Sequence, residues 1–166
     1  MGPDALREFF GSVPSAVSVV TTADRDGTPH GFTCTALASV SLDPPLLMVC
    51  VDESSRTLPA LLRSRAFAVH LLDDDGEGTA RLFAGRAVRK FDGVAWTAGA
   101  ALPQVPVLSD GVLAHAECTI EGAVRTGDHR LLVGRVATVR VGGGRSLLYQ
   151  RGLFASWDKA PAVVQA

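Results

Sequence analysis

The sequence predicts a mainly β, antiparallel fold closed into a barrel, with two or three short helices. Three observations lead there. Short β-branched or apolar runs recur along the chain, separated by Gly, Pro and Asp turns. Two long segments, Val112 to Val124 and Leu131 to Val141, alternate apolar and polar as half-buried strands do. Helical periodicity is confined to brief stretches, so the regular alternation of strand and helix in a βαβ sheet is missing.

The elements follow in order. Pro3 and the face made by Leu6, Phe9 and Phe10 predict a short N-terminal helix. Ala16 to Thr22 is a β-branched strand leading into the hairpin turn Asp24-Arg25-Asp26-Gly27. His30 to Ser41 reads as one extended return strand, ended by Pro44-Pro45. Leu46 to Val51 is a continuous apolar run, expected to be buried on both faces. Thr57 precedes Leu58-Pro59-Ala60-Leu61-Leu62 and is placed to N-cap a helix. Ala66 to Leu72 is the next strand. Asp73 to Asp75 read as the solvated cap of a second helix that ends near Phe83-Ala84-Gly85. Trp96 lies in a short strand, and Leu102 to Leu108 is a Pro-rich connector. After the two long strands, Gly142 to Gly144 makes a tight turn with no helix behind it, unlike a dinucleotide phosphate loop. Leu147 to Trp157 reads as a final strand. Residues 1–158 make one domain, and 159–166 form a tail with little to pack, expected to be disordered.

Composition narrows the function classes. The 166 residues carry a formal net charge of −1, which disfavours nucleic acid as a partner. No apolar run approaches the roughly 20 residues that span a bilayer, and the N-terminus lacks the apolar core of a signal peptide, so a cytoplasmic protein is expected. Cys34, Cys50 and Cys118 are odd in number and widely spaced, with no Cys-x-x-Cys pair. None of the four histidines has metal-ligand spacing to another histidine or to a cysteine, so no metal is expected. His70 and His115 sit in strand interiors and read as packing residues.

Two hydroxyl-rich segments bracket the apolar run Leu46 to Val51. One is His30-Gly31-Phe32-Thr33-Cys34-Thr35-Ala36, continuing through Ser39 and Ser41. The other is Asp52-Glu53-Ser54-Ser55-Arg56-Thr57. Together they offer backbone N–H groups, hydroxyls and one guanidinium, the donor set of a phosphate seat. Arg56 is either the charged ligand of such a phosphate or a solvated residue at an ordinary helix start. Ser39 and Ser41 are either contacts to a ligand or the polar side of a strand.

These residues also resemble a known family. His-Gly-x-Thr, then Ser-Val-Ser-Leu-Asp-Pro-Pro-Leu, then Ser-x-Arg-Thr, and later Gly127-Asp128-His129 with Val133-Gly134-Arg135-Val136, run in the order found in flavin reductases. The resemblance covers about Leu6 to Phe154. It implies a split β-barrel of Greek-key type that binds FAD or FMN, with FAD favoured. In the family, the stretch matching Thr33, Cys34, Thr35 and Ala36 runs along the isoalloxazine edge, although Asn is common where this chain has Thr35. The resemblance further implies that Phe83, Ala84, Gly85 and Phe91 line the flavin pocket. Arg86, Arg89 and Lys90 add positive charge near it, while Tyr149, Arg151 and Gly152 approach the cofactor from the closing strand. His129 then lies near the nicotinamide or flavin ring and serves catalysis by orienting rings; otherwise it is a plain turn residue.

The function implied is an NAD(P)H:flavin oxidoreductase that hands reduced flavin to a separate flavin-dependent monooxygenase. NADH is expected over NADPH because no arginine cluster is set aside for a 2′-phosphate. A homodimer is expected, since the family buries apolar surface between two subunits. The rival readings are a split-barrel flavoprotein that does not export reduced flavin, and a β-barrel carrier with no enzymatic activity.

Overall fold

The computed structural model describes residues 2–157. The order of elements is α1 (Pro3–Gly11), β1 (Ser15–Ala16), β2 (Ser18–Ala23), β3 (Pro29–Cys34), β4 (Leu37–Leu42), β5 (Pro45–Asp52), α2 (Leu58–Ser64) and β6 (Ala66–Leu72). There follow α3 (Glu77–Ala84), a 3-10 turn (Lys90–Gly93), β7 (Trp96–Ala98), β8 (Pro106–Leu108), β9 (Val112–Thr126), β10 (His129–Val141), β11 (Leu147–Gln150) and β12 (Leu153–Ser156). The proposed tail, 159–166, lies outside the described residues.

Seven strands form one antiparallel sheet in the order β3-β2-β6-β9-β10-β5-β4. Its two outermost strands, β3 and β4, are consecutive in the chain and joined only by Thr35 and Ala36. A two-residue link between opposite edges obliges the sheet to curl until those edges meet, as in a split barrel. The Cys50 amide, donating to the Ala36 carbonyl at 3.1 Å, holds the link against β5. Inside the curl lie Val20, Val49, Val51, Leu61, Phe67, Val69, Ile120 and Leu132. A second cluster, with Val17, Val19, Leu72, Phe83, Phe91 and Leu147, packs beneath α3.

β2 is buried along its whole length. Its hydroxyls are satisfied by carbonyls, Ser18 donating to Cys34 at 2.6 Å, Thr22 to Ala66 at 2.7 Å, and Thr21 to Pro106. A strand rich in Ser and Thr can therefore run through the middle of the fold without orphaned polar atoms.

Several expectations need correction. His30 to Ser41 is two strands on opposite sheet edges; alternation reports an extended backbone but not its pairing partner. β5 is fully buried only at Val49 and Val51, because it has one face on the core. Cys50 is accordingly only half-buried. Leu147 to Trp157 is a hairpin, turned at Arg151 (φ 49°) and Gly152 (φ 85°), two positive-φ residues in succession. Asp73 to Asp75 form a turn ahead of α3, whose N-cap is Gly76; Asp73 accepts the Asp75 amide at 3.0 Å, and Asp74 pairs with Arg145. Thr57 does stand at the N-cap of α2, but its hydroxyl donates to the Gly31 carbonyl at 3.3 Å, tying the helix to β3.

Candidate functional site

A cleft of about 740 Å³ opens between β3, the turn after β5, and the C-terminal end of α3 with the loop behind it. It gathers Thr33, Asp52, Ser54, Ser55, Arg56, Thr57, Phe83, Ala84, Gly85 and Phe91 from the sequence-predicted set, and His30, Arg86 and Lys90 join them. Three connections hold the walls together. Thr33 donates through its hydroxyl to the Ala80 carbonyl at 2.6 Å, fixing β3 to α3. Lys90 Nζ donates to the carbonyls of Phe83 at 2.6 Å and Gly31 at 3.2 Å. Arg56 donates to the Arg86 carbonyl, bridging the turn after β5 and the loop after α3.

Gly31 is required by this packing. A Cβ there would sit 2.6 Å from the Phe83 ring. The ring stays at the cleft wall, edge-to-face with Phe91 at 5.1 Å, and Phe91 in turn meets Trp96 at 5.9 Å. The cleft thus has one aromatic wall and one wall of hydroxyls and cations.

The electrostatics are lopsided. Arg56, Arg86 and Lys90 form no ion pair among the described residues, whereas Arg63, Arg81, Arg130 and Arg135 are each matched by a carboxylate. Partial burial, and then the nearby Arg56 charge, push the Lys90 pKa below its usual value. Asp52 is the cleft's carboxylate. It accepts both the hydroxyl and the amide of Ser54 at 2.6 Å, and these bonds hold it below the ordinary Asp range. With Arg56 and Lys90 bonded to neutral carbonyls and Arg86 in no ion pair among the described residues, the cleft carries positive charge that an anionic group can neutralise.

Other predicted residues lie elsewhere. Thr35 and Ala36 are exposed on the β3–β4 link, next to the cleft residue Thr33. Cys34 is buried, with Sγ 3.7 Å from the Cys50 carbonyl, and burial raises its pKa, so it is an unreactive thiol. Ser39 and Ser41 flank a bulge on β4. His129 begins β10 directly opposite Asp52, with Nδ1 2.8 Å from Asp128 Oδ1, which puts it beside the cleft without lining it. Tyr149 packs on Phe154 in the three-stranded sheet β1-β11-β12, and Arg151 bonds the Ser12 hydroxyl at 2.9 Å; neither enters the cleft. Pro29, Gly31, Phe32, Ala87 and Val88 complete the lining. Gly31 shares a strand face with Thr33.

The fold is thus an antiparallel split barrel with a cleft of cations, hydroxyls and aromatic rings between β3, the turn after β5 and α3. Residues 10–158 match the flavin reductase like domain, and the chain belongs to that family. It is 43% identical over 159 residues to a flavin reductase (NADH) of Kitasatospora aureofaciens, covering 93% of this chain and 81% of that one. It is 36% identical to the flavin-dependent monooxygenase reductase subunit HsaB of Rhodococcus jostii (strain RHA1), over 92% of this chain and 76% of that protein. Among solved structures it superposes with a TM-score of 0.85 and 34% identity on the Streptomyces globisporus C-1027 NADH:FAD oxidoreductase SgcE6 in complex with NAD and FAD fragments, covering 95% of this chain and 93% of that one. Relatives named for NADH and for NADPH both occur. The chain spans about half, 47%, of a probable flavin reductase of Rhizobium meliloti (strain 1021).

Proposed function

We propose that this protein is an NAD(P)H-dependent flavin reductase that uses NADH in preference to NADPH, takes FAD ahead of FMN, and passes reduced flavin to a separate flavin-dependent monooxygenase. The observation that carries the reading is the cleft itself, with its unmatched cations facing an aromatic wall in a chain of the flavin reductase family. The residues fit a flavin. Arg56 and Lys90, with the hydroxyls of Ser54 and Ser55, suit its phosphate end, and Phe83 and Phe91 suit its ring system. The exposed backbone of Thr35 and Ala36 suits the ring edge. When bound, flavin supplies the hydride-accepting chemistry.

The chain's own contribution is alignment. Arg56 neutralises phosphate charge and fixes one end of the cofactor, while the Lys90 anchor keeps the α3 terminus and β3 at a constant separation. His129 is assigned the orienting of the nicotinamide from the Asp52 side, with no proton transferred, since hydride transfer between the two rings needs no obligatory general base. A seat made of hydroxyls and partly exposed cations holds its ligand moderately and in a salt-sensitive way, which suits a flavin that must leave.

The test is anaerobic mixing of the protein with FAD or FMN and then NADH or NADPH, following loss of the roughly 450 nm flavin band. Bleaching at a higher kcat/KM with NADH and FAD is expected. A yellow protein that neither nicotinamide bleaches would leave a carrier, and tight retention of reduced flavin would leave a flavoprotein that does not export it.

A further inference from the structure

A second cleft, of about 560 Å³, lies at the other end of the long hairpin, between β7–β8 and the ends of β9 and β10. It shares no residue with the first cleft. From His129, beside the first cleft, β10 runs about 35 Å to Arg140 in the second. The register sets three side chains in a row across adjacent strands: His70 opposite His115, and His115 opposite Arg140. His70 is wholly buried and both its nitrogens are used. Nδ1 donates to the Val19 carbonyl at 3.0 Å and Nε2 accepts the Leu108 amide at 3.1 Å. Its ring stands 5.9 Å from that of His115 and backs it. The nitrogens of His115, by contrast, bond no described residue.

Arg140 sharpens the contrast. Arg130 and Arg135 on the same strand pair with Glu53 and Glu121, whereas Arg140 has no carboxylate partner among the described residues. The acidic member of the cleft, Glu117, is fully buried and engaged, accepting the amides of Ala100, Ala101 and Leu102 at 2.7–3.0 Å. The remaining lining mixes the hydroxyls of Thr97, Ser109 and Thr138 with apolar surface from Val107, Val112 and Leu113. An unmatched guanidinium, an imidazole with free nitrogens and an apolar floor in a pocket of ligand size make a complementary set for one kind of molecule.

We propose that this cleft is a second ligand site, taking a small organic anion whose carboxylate or phosphate head meets Arg140 and His115 and whose apolar body rests on Val107, Val112 and Leu113. It is independent of the reaction assigned to the first cleft. The test uses the full chain in its native oligomeric state, titrated with benzoate, phenyl phosphate and, as a neutral control, benzyl alcohol. The His115 ring resonance and calorimetric binding are read with and without saturating FAD. Benzoate or phenyl phosphate should move the His115 resonance and bind, and the better of the two identifies the head group. Benzyl alcohol should do neither. Arg140→Gln should weaken binding about tenfold, the loss of one charged hydrogen bond, while NADH oxidation is unchanged. Three results would each overturn the proposal: no binding at millimolar anion, equal binding by Arg140→Gln, or displacement of the probe by FAD. An unresponsive His115 because a second copy of the chain covers the cleft would overturn it as well.

Discussion

Under the proposed function, single residues take either a flavin-holding or a ring-orienting role. Arg56 donates to a backbone carbonyl and faces no carboxylate, so its charge is available to a ligand. Arg56→Ala should raise the flavin KM by roughly 10- to 100-fold, the worth of a charged hydrogen bond of about 1.5–3 kcal/mol. The melting temperature should hardly change, because the side chain is exposed; an unchanged KM would return Arg56 to ordinary surface. His129 should behave differently. His129→Ala is expected to slow flavin bleaching about 10- to 100-fold in rapid mixing while flavin affinity stays within twofold, since misaligned rings are costly. Loss of flavin binding in that variant would move His129 to the flavin seat. Lys90 shows where sequence reading stops. Its charge was legible, but its bonds to Phe83 and Gly31, residues far apart in sequence, depend on how α3 meets β3.

Among the elements, the long β9–β10 hairpin, β6 and α2 were legible because alternation and turn chemistry are local properties. The split of His30 to Ser41 between two sheet edges was not, because the same extended pattern serves either partner. The extended backbone of this stretch was thus legible in the sequence while its division between the two edges was not. The loop from Gly99 to Leu102 is likewise set by tertiary contact. Glu117 on β9 gathers three of its amides, and Gly99 leaves room, since a Cβ there would lie 2.6 Å from the carboxylate. Glu117→Ala should destabilise the fold by about 3 kcal/mol in urea unfolding, the loss of charged hydrogen bonds from a buried acceptor. Glu117→Gln should recover part of it by restoring one oxygen. Equal stability of the alanine variant and wild type would mean the loop holds without this anchor.

For the whole molecule, sensitivity to acid follows from His70. Burial lowers its pKa from 6.5 to about 4. Above pH 6.5 the ring is neutral in both folded and unfolded chains and contributes no pH dependence. Between pH 6.5 and about 4 the unfolded chain takes up a proton that the folded one refuses, so stability falls as pH falls, by up to about 3 kcal/mol. His70→Gln should flatten that part of a stability–pH curve, and an unchanged slope would assign the acid loss to other groups. Assembly is a second whole-molecule property. Leu6, Phe9 and Phe10 of α1, Leu42 of β4 and Leu153 of β12 are exposed apolar side chains, the kind of surface a homodimer covers. Light scattering at micromolar concentration should give the dimer mass, and the monomer mass would contradict it. No helix among the described residues is long and apolar enough to cross a membrane. The two-residue link between β3 and β4 bears, finally, on the order in which the chain assembles. Neither edge strand can take its place beside the other until β2, β6, β9, β10 and β5 have spanned the sheet between them, so Thr35 and Ala36 are drawn together with the body of the barrel last, although they lie early in the sequence. Such late closure makes folding slow for a chain of this length, and the segment beside the cleft is then the last part of the barrel to acquire its shape.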